Sequence, residues 1–160
     1  MKEPSPDDAL ERRRWLAQIA GVPRGTLETA LMKVCGGSDL PAFEWLRAPE
    51  TGLTMVRGRI GGTGNPFNLG ETTVTRAVLR LKSPDGASTV GVSYQLGRDK
   101  RRAELSALAD AMLQSTHWRD ATRAQLIEPA KRSSIEERQK RADATASTKV
   151  EFYTMVRGEH

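Results

Sequence analysis

Among 160 residues the sequence holds one cysteine, two histidines and eight aromatic side chains, and these shortages exclude a good deal. A lone Cys35 rules out an internal disulfide framework, and His117 and His160 add too few soft ligands for a structural zinc site. The longest uncharged apolar stretch, Trp15 to Pro23, falls well short of the roughly 20 residues of a membrane span. Glu3, Asp7 and Asp8 precede Arg12 to Arg14, so the basic start and apolar run of a signal peptide are missing too. The chain reads as soluble and cytoplasmic.

Core-forming residues are scarce as well. There are 15 Leu, 4 Ile, 9 Val and 3 Phe, close to the roughly 20% below which strongly charged chains stay disordered. A formal charge of +5 is not strong charging, so the chain is expected to fold. Its 18 alanines each bury little area, however, and the core is expected to be weak. Part of the stability is therefore expected from a partner. The positive balance permits nucleic acid, anionic lipid, phosphorylated metabolites or acidic proteins and selects none of them.

What is present reads as a single α+β domain over 1–160. An N-terminal helical part spans about 7–36, with Asp7 or Ser5 as a cap, a break at Gly21, Pro23 and Gly25, and a second helix capped by Thr26 and stopped by Gly36-Gly37. A mainly antiparallel sheet with its covering helix occupies about 42–115. Strands are expected at 43–47, 53–60, 71–82 and 88–96, and a fifth in the C-terminal tail. In the fourth, Val90, Val92, Tyr94 and Leu96 point one way and Thr89, Gly91, Ser93 and Gln95 the other, the pattern of a sheet with one covered face. Ser83-Pro84-Asp85-Gly86 is turn chemistry, so the third and fourth strands should form a hairpin. Asp99 can cap a helix whose Leu105, Leu108, Ala109 and Met112 would cover the sheet. Polar helices at 119–128, ended by Pro129, and 131–146 precede a strand from Lys149 to Arg157, the last part running over about 119–158. Thr-Met-Val-Arg-Gly occurs at both 54–58 and 154–158, which reads as two strands in similar environments and not as a repeat architecture.

Chemistry-bearing motifs are few. Gly58 to Gly70 is rich in glycine, and Gly61, Gly62 and Gly64 could turn backbone N–H groups toward a phosphate. The segment nonetheless lacks a Gly-Lys-Ser/Thr ending and leads into a strand where a phosphate loop opens a helix, so a structural turn competes with that reading. Arg57 and Arg59 share one strand face and Arg76 and Arg80 another, making a basic patch geometrically possible for phosphate or for carboxylates of a neighbour. No nucleophile, base and orienting group can be assembled, and His117 has no acidic partner by spacing. With so few aromatic platforms, nucleic acid is a weak candidate.

Three ordered stretches carry more: Arg47-Ala48-Pro49-Glu50-Thr51-Gly52-Leu53 through the glycine segment to Gly70-Glu71-Thr72-Thr73-Val74-Thr75-Arg76; Gly97-Arg98-Asp99-Lys100 with the helix to Gln114; and Thr148 to Gly158. Together they resemble the PhnG family, a subunit of the bacterial carbon-phosphorus lyase core complex. The likeness is weak over 1–40 and 119–147, and Phe152-Tyr153 stands where two phenylalanines are expected. The resemblance implies a supporting, non-catalytic subunit working with PhnH, PhnI and PhnJ and the accessory PhnL. It implies the step in which ribose triphosphate passes from MgATP to methylphosphonate with loss of adenine. Such a substitution needs an acid near adenine, stabilisation of an oxocarbenium-like centre and a triphosphate clamp, and this chain offers at most the clamp. No catalytic or metal-binding residue is assigned to it and no cofactor is expected on it alone; MgATP is the complex's substrate, with metal sites on partner subunits. Arg57, Arg59, Gly61, Gly62, Gly64, Arg76 and Arg98 are the candidate phosphate or partner contacts, and Phe152, Tyr153, Met155 and Arg157 the candidate interface. An independent anion- or nucleic-acid-binding module is the alternative, marked by steeply salt-dependent binding of the isolated chain.

Overall fold

The computed structural model describes residues 6–37 and 39–147. Helix α1 (Pro6–Gly21) and helix α2 (Arg24–Val34) precede strands β1 (Phe43–Arg59), β2 (Pro66–Lys82) and β3 (Ser88–Leu96), and helix α3 (Lys100–Gln114) follows. Short helix α4 (Arg119–Thr122), a π-turn (Arg123–Ile127) and helix α5 (Glu128–Ser147) complete the order. The architecture is α+β, with an antiparallel sheet of order β1-β2-β3.

Local chemistry explains most boundaries. The α2 C-terminus closes as expected: Gly36 N–H donates to the Lys33 carbonyl and Gly37 N–H to that of Met32, with φ of 69° and 82° at the two glycines. Its start differs, because Pro23 and not Thr26 occupies the N-cap, where a missing N–H costs nothing. Asp99 caps α3 by accepting from the Arg102 N–H at 2.9 Å. The β2–β3 hairpin closes through Ser83 N–H to the Ala87 carbonyl at 2.8 Å, with Gly86 at φ 81°.

The sheet corrects the count of five strands to three among the described residues. The strands expected at 43–47 and 53–60 are one, because the register shifts between Trp45, Arg47 and Glu50 absorb Pro49, which an edge strand tolerates. β2 starts at Pro66, five residues before the expected 71, so the glycine segment shrinks to a hairpin tip. The C-terminal strand falls on residues outside those described. Pro129 does not end a helix either. The π-turn immediately before it shifts the hydrogen-bond pattern at the point where the proline withholds its N–H, and α5 runs on to Ser147.

The core lies between the helices and one face of the sheet. Ala77, Leu79 and Leu81 of β2 meet Leu105, Leu108 and Met112 of α3, with Ile19, Leu27 and Leu31 from the first two helices, all buried. Helix α3 comes so near β3 that a Cβ on Gly91 would stand 1.9 Å from the Ala107 carbonyl oxygen. Close approach is possible because α3 presents Ala103, Ala107 and Ala111 along its buried length. The row of β3 that it covers is the polar one. Ser93 donates to the Ala103 carbonyl at 2.7 Å and Gln95 to the Ser106 hydroxyl at 2.8 Å.

Asp110 knots these layers together from a fully buried position on α3. Its carboxylate accepts from Arg12 at 2.7 Å, from the Trp15 indole at 2.8 Å and from the Val92 backbone N–H at 2.9 Å. Arg12 and Gln114 also donate to the Val90 carbonyl, at 3.2 and 2.8 Å. The outer edge of β3 is thereby occupied by side chains, as sheet edges commonly are in stable proteins.

Candidate functional site

Among the described residues nothing covers the face of the sheet opposite α3, which is mostly apolar. Cross-strand register places Val74 beside Leu96, Arg76 beside Tyr94, Val78 beside Val92 and Arg80 beside Val90, all on that face. Tyr94 and Leu96 are 63% and 71% exposed. The charges there are already matched: Arg76 donates to Glu50 at 2.6 Å, Arg47 to the same carboxylate at 2.9 Å, and Arg80 to Glu44 at 3.2 Å. The Arg76 hydrogen bond holds the Glu50 carboxyl below its ordinary value, against a smaller opposing effect of desolvation and with further help from the charges of Arg76 and Arg47. A shallow concavity of about 490 Å³ opens where Gly52, Leu53, Val74, Tyr94 and Leu96 converge, with the Glu50–Arg76 pair among its lining residues. Gly52 leaves room in it, since a Cβ at that position would touch nothing.

Beyond β3 the sheet narrows to a two-stranded arm. Pairing of β2 with β3 ends at Val74 and Leu96, yet β1 and β2 stay paired from Leu53 opposite Thr73 to Arg59 opposite Pro66. Over those seven β1 residues the arm extends about 23 Å, at ~3.3 Å per residue. Leu53, Met55, Ile60, Phe67 and Leu69 are exposed along it. A ribbon of two strands with no covered face is marginal in water.

The arm and its tip hold Arg57, Arg59, Gly61, Gly62 and Gly64, five of the seven candidate phosphate or partner contacts. Arg57 lies opposite Asn68, and Arg59 opposite Pro66, where it donates to the Gly64 carbonyl at 3.0 Å. Gly61 and Gly62 take φ of 61° and 79° in the tip, and Gly64 N–H bonds the Ile60 carbonyl at 3.0 Å with no space for a Cβ. Arg76 stands apart, near the middle of the sheet and engaged with Glu50, while exposed Arg98 follows β3 at the arm's root. The arginines therefore occupy separate places and do not form one patch. Phe152, Tyr153, Met155 and Arg157 lie outside the described residues.

Elsewhere, burial pushes the Cys35 thiol up, the opposite of activation. His117 packs edge-on against Trp118. Among the described residues no three His, Cys, Asp or Glu side chains gather as a metal site, and no helix is long and apolar enough to cross a membrane. Sequence reasoning missed Asp110 and the tight seat of Gly91; a glycine inside a strand was the available hint of close approach.

Comparison with known proteins extends these observations. A family model described as phosphonate metabolism protein PhnG matches residues 10–158. Over 155 residues, 96% of this chain and 94% of the relative, 45% are identical to the alpha-D-ribose 1-methylphosphonate 5-triphosphate synthase subunit PhnG of Rhizobium meliloti (strain 1021).

Proposed function

Because the chain belongs to the PhnG family of phosphonate metabolism proteins, we propose that it is a supporting subunit of an alpha-D-ribose 1-methylphosphonate 5-triphosphate synthase. In that reaction methylphosphonate displaces adenine at the anomeric carbon of MgATP, and the triphosphate stays on the ribose. PhnH, PhnI and PhnJ, with the accessory PhnL, are the proposed partners, and the reacting groups and metal sites are assigned to them.

The observation that carries this reading is the bare apolar sheet face continuing into the arm. An uncovered face of this kind marks an interaction surface, and its self-neutralised ion pairs suit another protein better than a polyanion. Arg57, Arg59 and Arg98 remain the proposed contacts for phosphate or for a partner's carboxylates. The tail residues Phe152, Tyr153, Met155 and Arg157 remain proposed interface residues.

Co-expression with PhnH, PhnI and PhnJ, followed by native mass measurement and an assay of adenine release, tests the proposal. A complex containing this chain, inactive when the chain is left out, is the expected result. An active synthase assembled without it would overturn the assignment.

A further inference from the structure

We propose that the tip of the arm is a clamp for the substrate's phosphate chain, carried into a neighbouring subunit's site, with Arg57 and Arg59 as its two forks; this rests on the function proposed above. Charge sets the tip apart from the rest of the molecule. From Thr51 to Gly70 the sequence has no acidic residue, and its only charged side chains are Arg57 and Arg59. On the body of the protein the arginines are matched within the chain, Arg12 by Asp110, Arg76 by Glu50, Arg80 by Glu44 and Arg101 by Glu28. Among the described residues neither arginine of the arm meets a carboxylate.

Placement adds to charge. The ladder is regular from Arg57 to Arg59 and the backbone is still extended at Arg59, with φ −129° and ψ 132°, so these two side chains leave the ribbon on the same side. Their Cα atoms stand about 6.6 Å apart, at ~3.3 Å per residue, so the two forks can grip successive groups of one extended anion. Arg59 also donates to the Gly64 carbonyl at 3.0 Å, which holds its guanidinium across the tip before any ligand arrives. The surroundings decide what the forks must meet. Ile60, Phe67 and Leu69 are 76%, 42% and 66% exposed at the same end of the arm. Packing these side chains against a neighbour strips water from the guanidinium groups, which is costly unless an anion lies beside them. A triphosphate supplies that charge densely and in the geometry that arginine forks match. In the proposed reaction no bond to phosphorus changes, so the clamp grips substrate and transition state alike. Its contribution is to binding.

The test uses the complex co-expressed with PhnH, PhnI and PhnJ, with the full chain either unaltered or carrying Arg57→Gln and Arg59→Gln together. Inorganic triphosphate is titrated into each complex by calorimetry, KM and kcat for MgATP are read from adenine release, and native mass reports assembly. The variant complex should keep the parent mass, bind triphosphate about tenfold more weakly or worse, and show a matching rise in KM. Its kcat should stay within about twofold of the parent. Arg57→Lys with Arg59→Lys, which keeps the charge and loses the forks, should recover part of the affinity. An intact variant complex with unchanged triphosphate affinity and KM would overturn the clamp alone. Loss of subunits from the variant complex, with triphosphate affinity unchanged in what remains assembled, would assign the forks to a partner's carboxylates and overturn it too. A parent complex that forms without this chain would overturn the proposed function and the clamp with it.

Discussion

Gly91 fixes how near α3 lies to the sheet, since any side chain there meets the Ala107 backbone at 1.9 Å and the Ala111 methyl at 2.9 Å. Gly91→Ala must push the helix outward along its whole buried length. The expected cost is about 3 kcal/mol, the upper part of the overpacking range, read from chemical denaturation midpoints. Glu50 makes a pH-dependent contribution whose sign follows from its partners. Arg76 and Arg47 hold its folded carboxyl below the ordinary 4.5, so the stabilisation is complete above that value and is lost as pH falls through the lowered folded one. In Glu50→Gln the fall in stability between neutral pH and pH ~3 should be shallower than in the parent, in urea titrations across that range. Asp85, lowered by the Ala87 N–H and the Thr116 hydroxyl, acts in the same sense and persists in the variant.

At the scale of elements, the covering helix, its Asp99 cap and the Ser83–Ala87 turn were legible because each rests on chemistry within a few residues. The inner face of β3 was not. Its alternation revealed two rows without telling which row this chain covers, and the covered one holds Gly91, Ser93 and Gln95, with Ser93 Oγ and Gln95 Nε2 finding partners on α3. Hydrophobicity points to whatever excludes water in the finished assembly, so an apolar row can belong to a neighbour's interface. Pro129 misled for a different reason, since a π-turn that relieves a proline leaves no compositional trace. The arm was hidden because the gap between the strands expected at 43–47 and 53–60 is a bulged stretch of one strand, and the glycine segment read as a turn is only a hairpin tip. Its exposed apolar residues permit a clean separation of effects. Leu53 and Leu69 are 69% and 66% exposed, so the pair Leu53→Ser and Leu69→Ser should move the stability of the free chain by no more than about 0.5 kcal/mol. The same pair should sharply reduce recovery of partner subunits in affinity purification, and undiminished recovery would remove the arm from the interface.

For the whole molecule, the sparse aliphatic content finds its counterpart in how the buried area is distributed. Among the described residues one face of three strands is covered, and a sheet face, an arm and most of α5 are left bare, with Ile135 58% exposed on the last. Binding to the folded form alone raises stability by mass action. The melting temperature of the chain should therefore rise on co-purification with its partners, while a dye that fluoresces on apolar surfaces should brighten with the free chain and dim with the complex. An unchanged melting temperature and equal fluorescence would mean that the bare face stays bare.

One consequence follows from the way Asp110, Arg12 and Gln114 occupy the backbone groups of Val90 and Val92. A newly made subunit carrying so much oily surface risks sticking to its siblings before the right companions arrive, and stacked strands are the usual route to fibrils. With that margin already satisfied from within, growth there is quenched, and the molecule can wait for assembly without seeding its own precipitation.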